Sequence, residues 1–184
     1  MPKLDANQFT SYFLIILAIT SYIFGFIIDE DPGGGGKFKG DVNTIYSNLK
    51  IFLANDIYTA SMHEGYMSSR IPGVYIFHKL FNPFVDTLSS YRKSVFAISF
   101  FLPLLFFFCI KKKFKDTETT TLMIMSSIIY LSPYFRTSAY WGLEENLSLI
   151  FMMLSYLSLN YVLNTKNQDT KKIISSMFLL ALFS

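Results

Sequence analysis

Residues 9–28 read FTSYFLIILAITSYIFGFII, and the next three are Asp29, Glu30 and Asp31. The run carries no charge. As a helix of about 20 residues it is roughly 30 Å long, the thickness of a bilayer's hydrocarbon core. A secretory signal peptide is the competing reading. Only Lys3 supplies basic charge ahead of the run, close to Asp5, and the run ends in Phe26-Ile27-Ile28 with no small residues suited to cleavage. It is also longer than a usual h-region, so an uncleaved span is expected.

Working outward, four more apolar runs follow. Val95–Ile110 has Arg92 and Lys93 placed to snorkel at one end and Pro103 inside it as a kink site. Thr119–Phe135 ends near Pro133, and Asn146–Leu163 is the fourth. The fifth, Ile173–Ser184, covers only about 18 Å as a helix, so the chain is expected to stop inside a span. The composition agrees with a lipid setting. Of 184 residues, 52% are hydrophobic and 18% aromatic, more apolar surface than one small core needs. Mean hydropathy is +0.37. The fold expected is an all-α integral membrane protein, a multi-span helical bundle with a large first outer loop over residues 29–92. A net charge of +3 gives no footing for a nucleic-acid partner. The single Cys109 excludes an internal disulfide and reads as a small buried hydrophobe.

Orientation follows from lysine placement. Lys111, Lys112, Lys113 and Lys115 follow the second run, and Lys166, Lys171 and Lys172 follow the fourth. The connection from Arg136 to Glu145 has one basic and two acidic residues. The N-terminus and the lysine-rich loops are therefore expected in the cytoplasm, with 29–92 and 136–145 on the opposite face.

The outer loop has structure of its own. Asp41 is a candidate N-cap, and Val42, Ile45, Tyr46, Leu49, Phe52 and Leu53 then recur on one helical face, opposite Asn43, Ser47 and Lys50. This predicts a helix lying in the membrane interface. A second helix is expected from Pro72 to Asn82, apolar nearly all round and half sunk in lipid or packed under the spans. A small folded outer domain is the alternative.

Candidate chemistry lies on the same outer side. Three acids at 29–31 sit at a helix C-terminus, where the macrodipole disfavours them. They are either a solvated helix end or groups that hold a metal or take a proton. Residues 32–37, PGGGGK, lack P-loop spacing. They read as plain loop or as a flexible turn that lets Lys37 and Lys39 contact an anion. At 134–146, YFRTSAYWGLEEN, the aromatics suit a membrane-interface belt, while Arg136 suits a bidentate phosphate contact. Glu144 and Glu145 open the fourth run, where the helix dipole also favours them. His63 and His78 have no metal-ligand spacing.

Taken together, a first span with acids at its outer end, a large outer loop and a second acidic cluster resemble the GT-C glycosyltransferases that use polyprenyl-phosphate sugars, such as protein O-mannosyltransferases and the aminoarabinose transferases of lipid A. Asp29-Glu30 resembles the family's acid pair at the end of the first span. Residues 68–75, SSRIPGVY, resemble its Pro-containing loop segment, and 134–146 resemble a short outer motif of bacterial members. The glycine insert after Asp31 departs from the family pattern and leaves the choice of carboxylate open. The resemblance implies transfer of a sugar from a polyprenyl-phosphate donor to an acceptor at the non-cytoplasmic face of a bacterial inner or plasma membrane. It implies Asp29, Glu30, Asp31 or Asp41 as base, Lys37, Arg70 and Arg136 as phosphate contacts, and Glu144 and Glu145 as ligands of a divalent metal or the acceptor. Two other classes compete, a transporter or lipid flippase and an inactive truncated membrane protein. Transporters concentrate charge at mid-depth, whereas these acids stand at the outer edge.

Overall fold

The computed structural model describes residues 6–36, 40–67 and 72–164. Among these residues every regular element is helical: α1 (Ala6–Ile27), α2 (Asp41–Ala54), α3 (Ile57–Ser61), α4 (Gly73–Phe81), α5 (Leu88–Ser99), α6 (Phe101–Lys113), α7 (Thr119–Ser127), a 3₁₀ turn (Ile128–Leu131), α8 (Pro133–Trp141) and α9 (Glu145–Asn164). Two stretches among them are helical, long and apolar enough to cross a membrane, Gln8–Ile27 and Leu88–Lys113. The fifth expected run, 173–184, lies outside the described residues.

Prolines set two of the boundaries. Pro103 has no N–H to offer the Ser99 carbonyl four residues back, and the break between α5 and α6 falls there, at Phe100. The third apolar run was expected to continue to Phe135, but it ends at Leu131. Ser132 precedes a proline and is extended (φ −68°, ψ 123°), and its hydroxyl accepts from Phe135 N at 3.5 Å. A new helix, α8, therefore starts at Pro133. It stops at Gly142, whose φ of 67° only glycine adopts cheaply.

The chain divides into two compact units. The first includes α1 up to Ile23, residues 100–131 and α9 from Leu147. Tyr22, Phe100 and Tyr130 form its aromatic centre, with ring centroids 5.1–5.7 Å apart. Ser126 and Ser127 bond back to the Leu122 and Ile124 carbonyls of their own helix, so neither hydroxyl is left unsatisfied. Phe9, Phe13, Leu17, Phe101, Phe108 and Met152 are all exposed.

The second unit is Phe24–Ser99 with Ser132–Asn146. It has its own core of Tyr46, Leu49, Phe52, Ala60, Tyr75, Val85, Tyr91 and Val95. The apolar face of α2 is where the sequence places it, and Asn43, Ser47 and Lys50 on the other side are exposed. That face does not lie against lipid, because Leu49 and Phe52 are fully buried in the unit's core. Stacking of Phe52 on Tyr75 at 5.4 Å and the bond from Tyr46 Oη to Val85 O at 3.0 Å hold the unit together without a disulfide. Lys79 Nζ donates to Phe52 O at 2.6 Å and to Asn55 O, satisfying carbonyls at the end of α2.

Candidate functional site: an ion-paired helix end under α8

α1 ends in a Schellman arrangement. Glu30 N donates to Gly25 O at 2.9 Å and Asp29 N to Phe26 O at 3.3 Å. The left-handed position that usually takes glycine is filled by Asp29, at φ 54°. This turn separates the three acids. Glu30 folds back over the last turn of α1, so that a Cβ on Gly25 would stand 2.2 Å from Glu30 Oε2 and 2.6 Å from the Tyr140 hydroxyl.

α8 supplies the opposing charge. Arg136 is buried, and its Nη1 donates to Glu30 Oε2 at 2.8 Å. Trp141 Nε1 donates to Glu30 O at 3.2 Å. Asp29 is paired with Arg92 of α5 at 2.8 Å. Arg92 does not snorkel as its position beside an apolar run suggests. Its Nε donates to Tyr140 O at 2.8 Å, and its guanidinium lies over the Trp141 ring at 4.0 Å. Asp31 Oδ1 accepts from Gly36 N at 3.3 Å.

The glycine run is a loop, and the described part of it packs closely against α8. A Cβ on Gly33 would meet Thr137 Oγ1 at 2.5 Å, and one on Gly36 would meet the Trp141 ring at 2.7 Å. Glycine is what lets this stretch lie directly on α8. Beneath it the buried Thr137 hydroxyl has no hydrogen-bond partner among the described residues.

The other expected site residues divide differently. Glu144 is only 5% exposed, and its Oε1 accepts from the Tyr75 hydroxyl, which in turn accepts from Asn48 Nδ2 at 3.2 Å. Glu145 is exposed at the start of α9. With one carboxylate buried under Tyr75 and its neighbour in solvent, the two do not fit a shared metal site. Among the described residues no group of three His, Cys, Asp or Glu stands together as a candidate one. Asp41 is exposed in the first turn of α2, and the capping position belongs to Gly40, which makes no side-chain bond. Lys37 and Arg70 lie outside the described residues.

Burial and charge tune the hydroxyls. Burial pushes the Tyr140 phenol up, with Arg136 opposing and Glu30 reinforcing the shift. Burial and the bond to Glu144 raise Tyr75 as well. Both remain neutral donors near neutral pH. Sequence reasoning assigned no site role to Gly25, Tyr91 or Asn48, and Tyr75 and Thr137 entered only as members of segments 68–75 and 134–146. An isolated glycine inside an apolar helix is a usable signal of close approach, but the others carry none, because their partners are distant in sequence. Tyr91, for example, donates to Gly142 O at 2.8 Å across 51 positions.

Comparison with protein-family models, with curated proteins and with solved structures found no match.

Proposed function

We propose that the protein is a multi-span membrane glycosyltransferase that moves a sugar from a polyprenyl-phosphate donor to an acceptor at the non-cytoplasmic face. One observation carries the reading: Glu30, at the end of the first apolar helix, and Arg136, at the start of α8, meet at 2.8 Å. These are the two segments whose residues resemble the transferases. A guanidinium beside a carboxylate cluster provides an anion contact and a proton acceptor in one place. Arg136 is the phosphate contact in this reading, and Arg92 flanks it. Asp31 is the general base, because Asp29 and Glu30 are each committed to an arginine while Asp31 has no ion pair among the described residues. Asp31→Asn should then lower turnover of a polyprenyl-phosphate sugar about 100- to 10,000-fold while membrane insertion and unfolding temperature hold. Unchanged turnover in both Asp31→Asn and Arg136→Lys overturns the assignment.

The same pairs support a second reading, in which Glu30–Arg136 and Asp29–Arg92 are structural clamps that fasten the turn after α1 to α8 and α5. That reading expects Asp31→Asn to be silent in every assay and Arg136→Lys to lower thermal stability. Cysteine labelling settles the orientation. A Cys placed at Asn43, which is exposed on α2, should react with an impermeant reagent from outside, and one at the exposed Lys113 should not.

A further inference from the structure

The end of α4 carries a short apolar projection that the proposed site does not use. Phe81 is 71% exposed and Phe84 is 63% exposed, and Leu80 beside them is exposed too. Between the two phenylalanines, Asn82 is buried. Its Nδ2 donates to His78 Nδ1 at 2.9 Å and to Ser94 Oγ at 2.7 Å, and its Oδ1 accepts from Phe84 N at 3.0 Å. The tip is therefore held in one shape by a fully used side chain, with two large apolar groups fixed outward. Fixing bare apolar surface toward water is unfavourable unless something apolar covers it.

The bond to Ser94 says at what level the tip stands. Ser94 immediately precedes Val95, where the apolar run inside the Leu88–Lys113 helix begins. The exposed Lys93 is its neighbour, a cation suited to anionic headgroups. Chain length agrees, since Phe84 is four residues before Leu88 and can lie at most about 14 Å from it. Asp86 is exposed between them and keeps that side toward water.

We propose that Phe81 and Phe84 form a membrane-docking wedge, inserted at the headgroup–acyl boundary of the bilayer that the Leu88–Lys113 helix crosses. The proposal rests on that helix being a span. The wedge fixes the depth and tilt of the second unit at the lipid surface, with Asn82 as the rigid joint between wedge and helix.

The test uses nitroxide labels on Phe81→Cys, Phe84→Cys, Tyr58→Cys and Leu104→Cys in a Cys109→Ser background. Each protein is placed in vesicles of phosphatidylcholine and phosphatidylglycerol, and collisions with oxygen and with a water-soluble nickel chelate are compared. Positions 81 and 84 should favour oxygen over nickel several-fold, at a shallower depth than 104, while exposed position 58 should favour nickel. Nickel access at 81 and 84 equal to that at 58, with 104 in lipid, overturns the wedge and leaves the span standing. Low access of both reagents at 81 and 84 means that protein covers them, and this also overturns it. Water exposure at 104 removes the span, and the wedge falls with it.

Discussion

Arg136 reaches Glu30 across 106 positions of sequence, Nη1 to Oε2 at 2.8 Å. The pair is asymmetric, because the arginine side chain is 11% exposed and the glutamate 32%. Losing the glutamate leaves a desolvated guanidinium, whereas losing the arginine leaves a carboxylate that water can still reach. Arg136→Met should therefore cost less than Glu30→Ala, for which about 1–3 kcal/mol is expected from a buried charged donor that loses its carboxylate acceptor. A double-mutant cycle in thermal unfolding measures the coupling. A coupling near zero would mean that the pair contributes nothing to folding.

Gly25→Ala tests the crowding over α1. In an exposed helix interior alanine is favoured over glycine by about 1 kcal/mol. Here its methyl carbon would stand 2.2 Å from the Glu30 carboxylate and 2.6 Å from the Tyr140 hydroxyl. The carboxylate is the end of a flexible side chain and must swing away, which breaks the bond to Arg136. The expected result is destabilisation despite the better helix former. A gain in unfolding temperature would show that Glu30 moves aside freely.

Why the sequence reveals part of this arrangement follows from the range of the forces involved. The apolar length of 9–28 is a local property and emerges as α1. The face of α2 is local too, and the residues that alternate with helical period are the ones that face inward. What covers that face is not local: a lipid surface and the core around Tyr75 and Tyr91 both satisfy the same period, and the core covers it. Arg92 reads as a snorkelling residue because sequence shows only its apolar neighbours, while its acid lies 63 positions away. Arg136, Glu30 and Asp31 stand out as ionisable groups beside apolar runs. The pairing of Glu30 with Arg136 depends on the Schellman turn, which a sequence with aspartate at the glycine position disguises.

Asp29→Gly separates backbone strain from electrostatics at that turn. A left-handed residue with a Cβ costs roughly 1 kcal/mol, somewhat less for aspartate. Its ion pair with Arg92 is 57% exposed on the aspartate side and is worth less than about 1 kcal/mol. The two terms nearly cancel, so unfolding temperature should change by no more than a few degrees. Asp29→Ala loses the pair and keeps the strain, and should be the less stable of the two. Equal loss in both variants would show that the ion pair dominates.

His78 gives a pH signature of its own. It is buried, and burial lowers its pKa to about 4 from the ordinary 6.5. The Asn82 amide, fixed by its bond to Phe84 N, donates to His78 Nδ1, so that nitrogen must keep its lone pair. Protonation would set two donors against each other beside the Tyr91 ring, 5.0 Å away. The folded value lies below the unfolded one, so the unfolded chain binds the extra proton between pH 6.5 and 4. The stabilisation is complete above pH 6.5 and is lost as pH falls toward 4, by on the order of 3 kcal/mol from this one group. Unfolding temperature measured from pH 7 to 4.5 should fall more in the parent than in His78→Gln, which cannot titrate. Parallel curves for the two proteins would mean that His78 already shares its proton with the folded state.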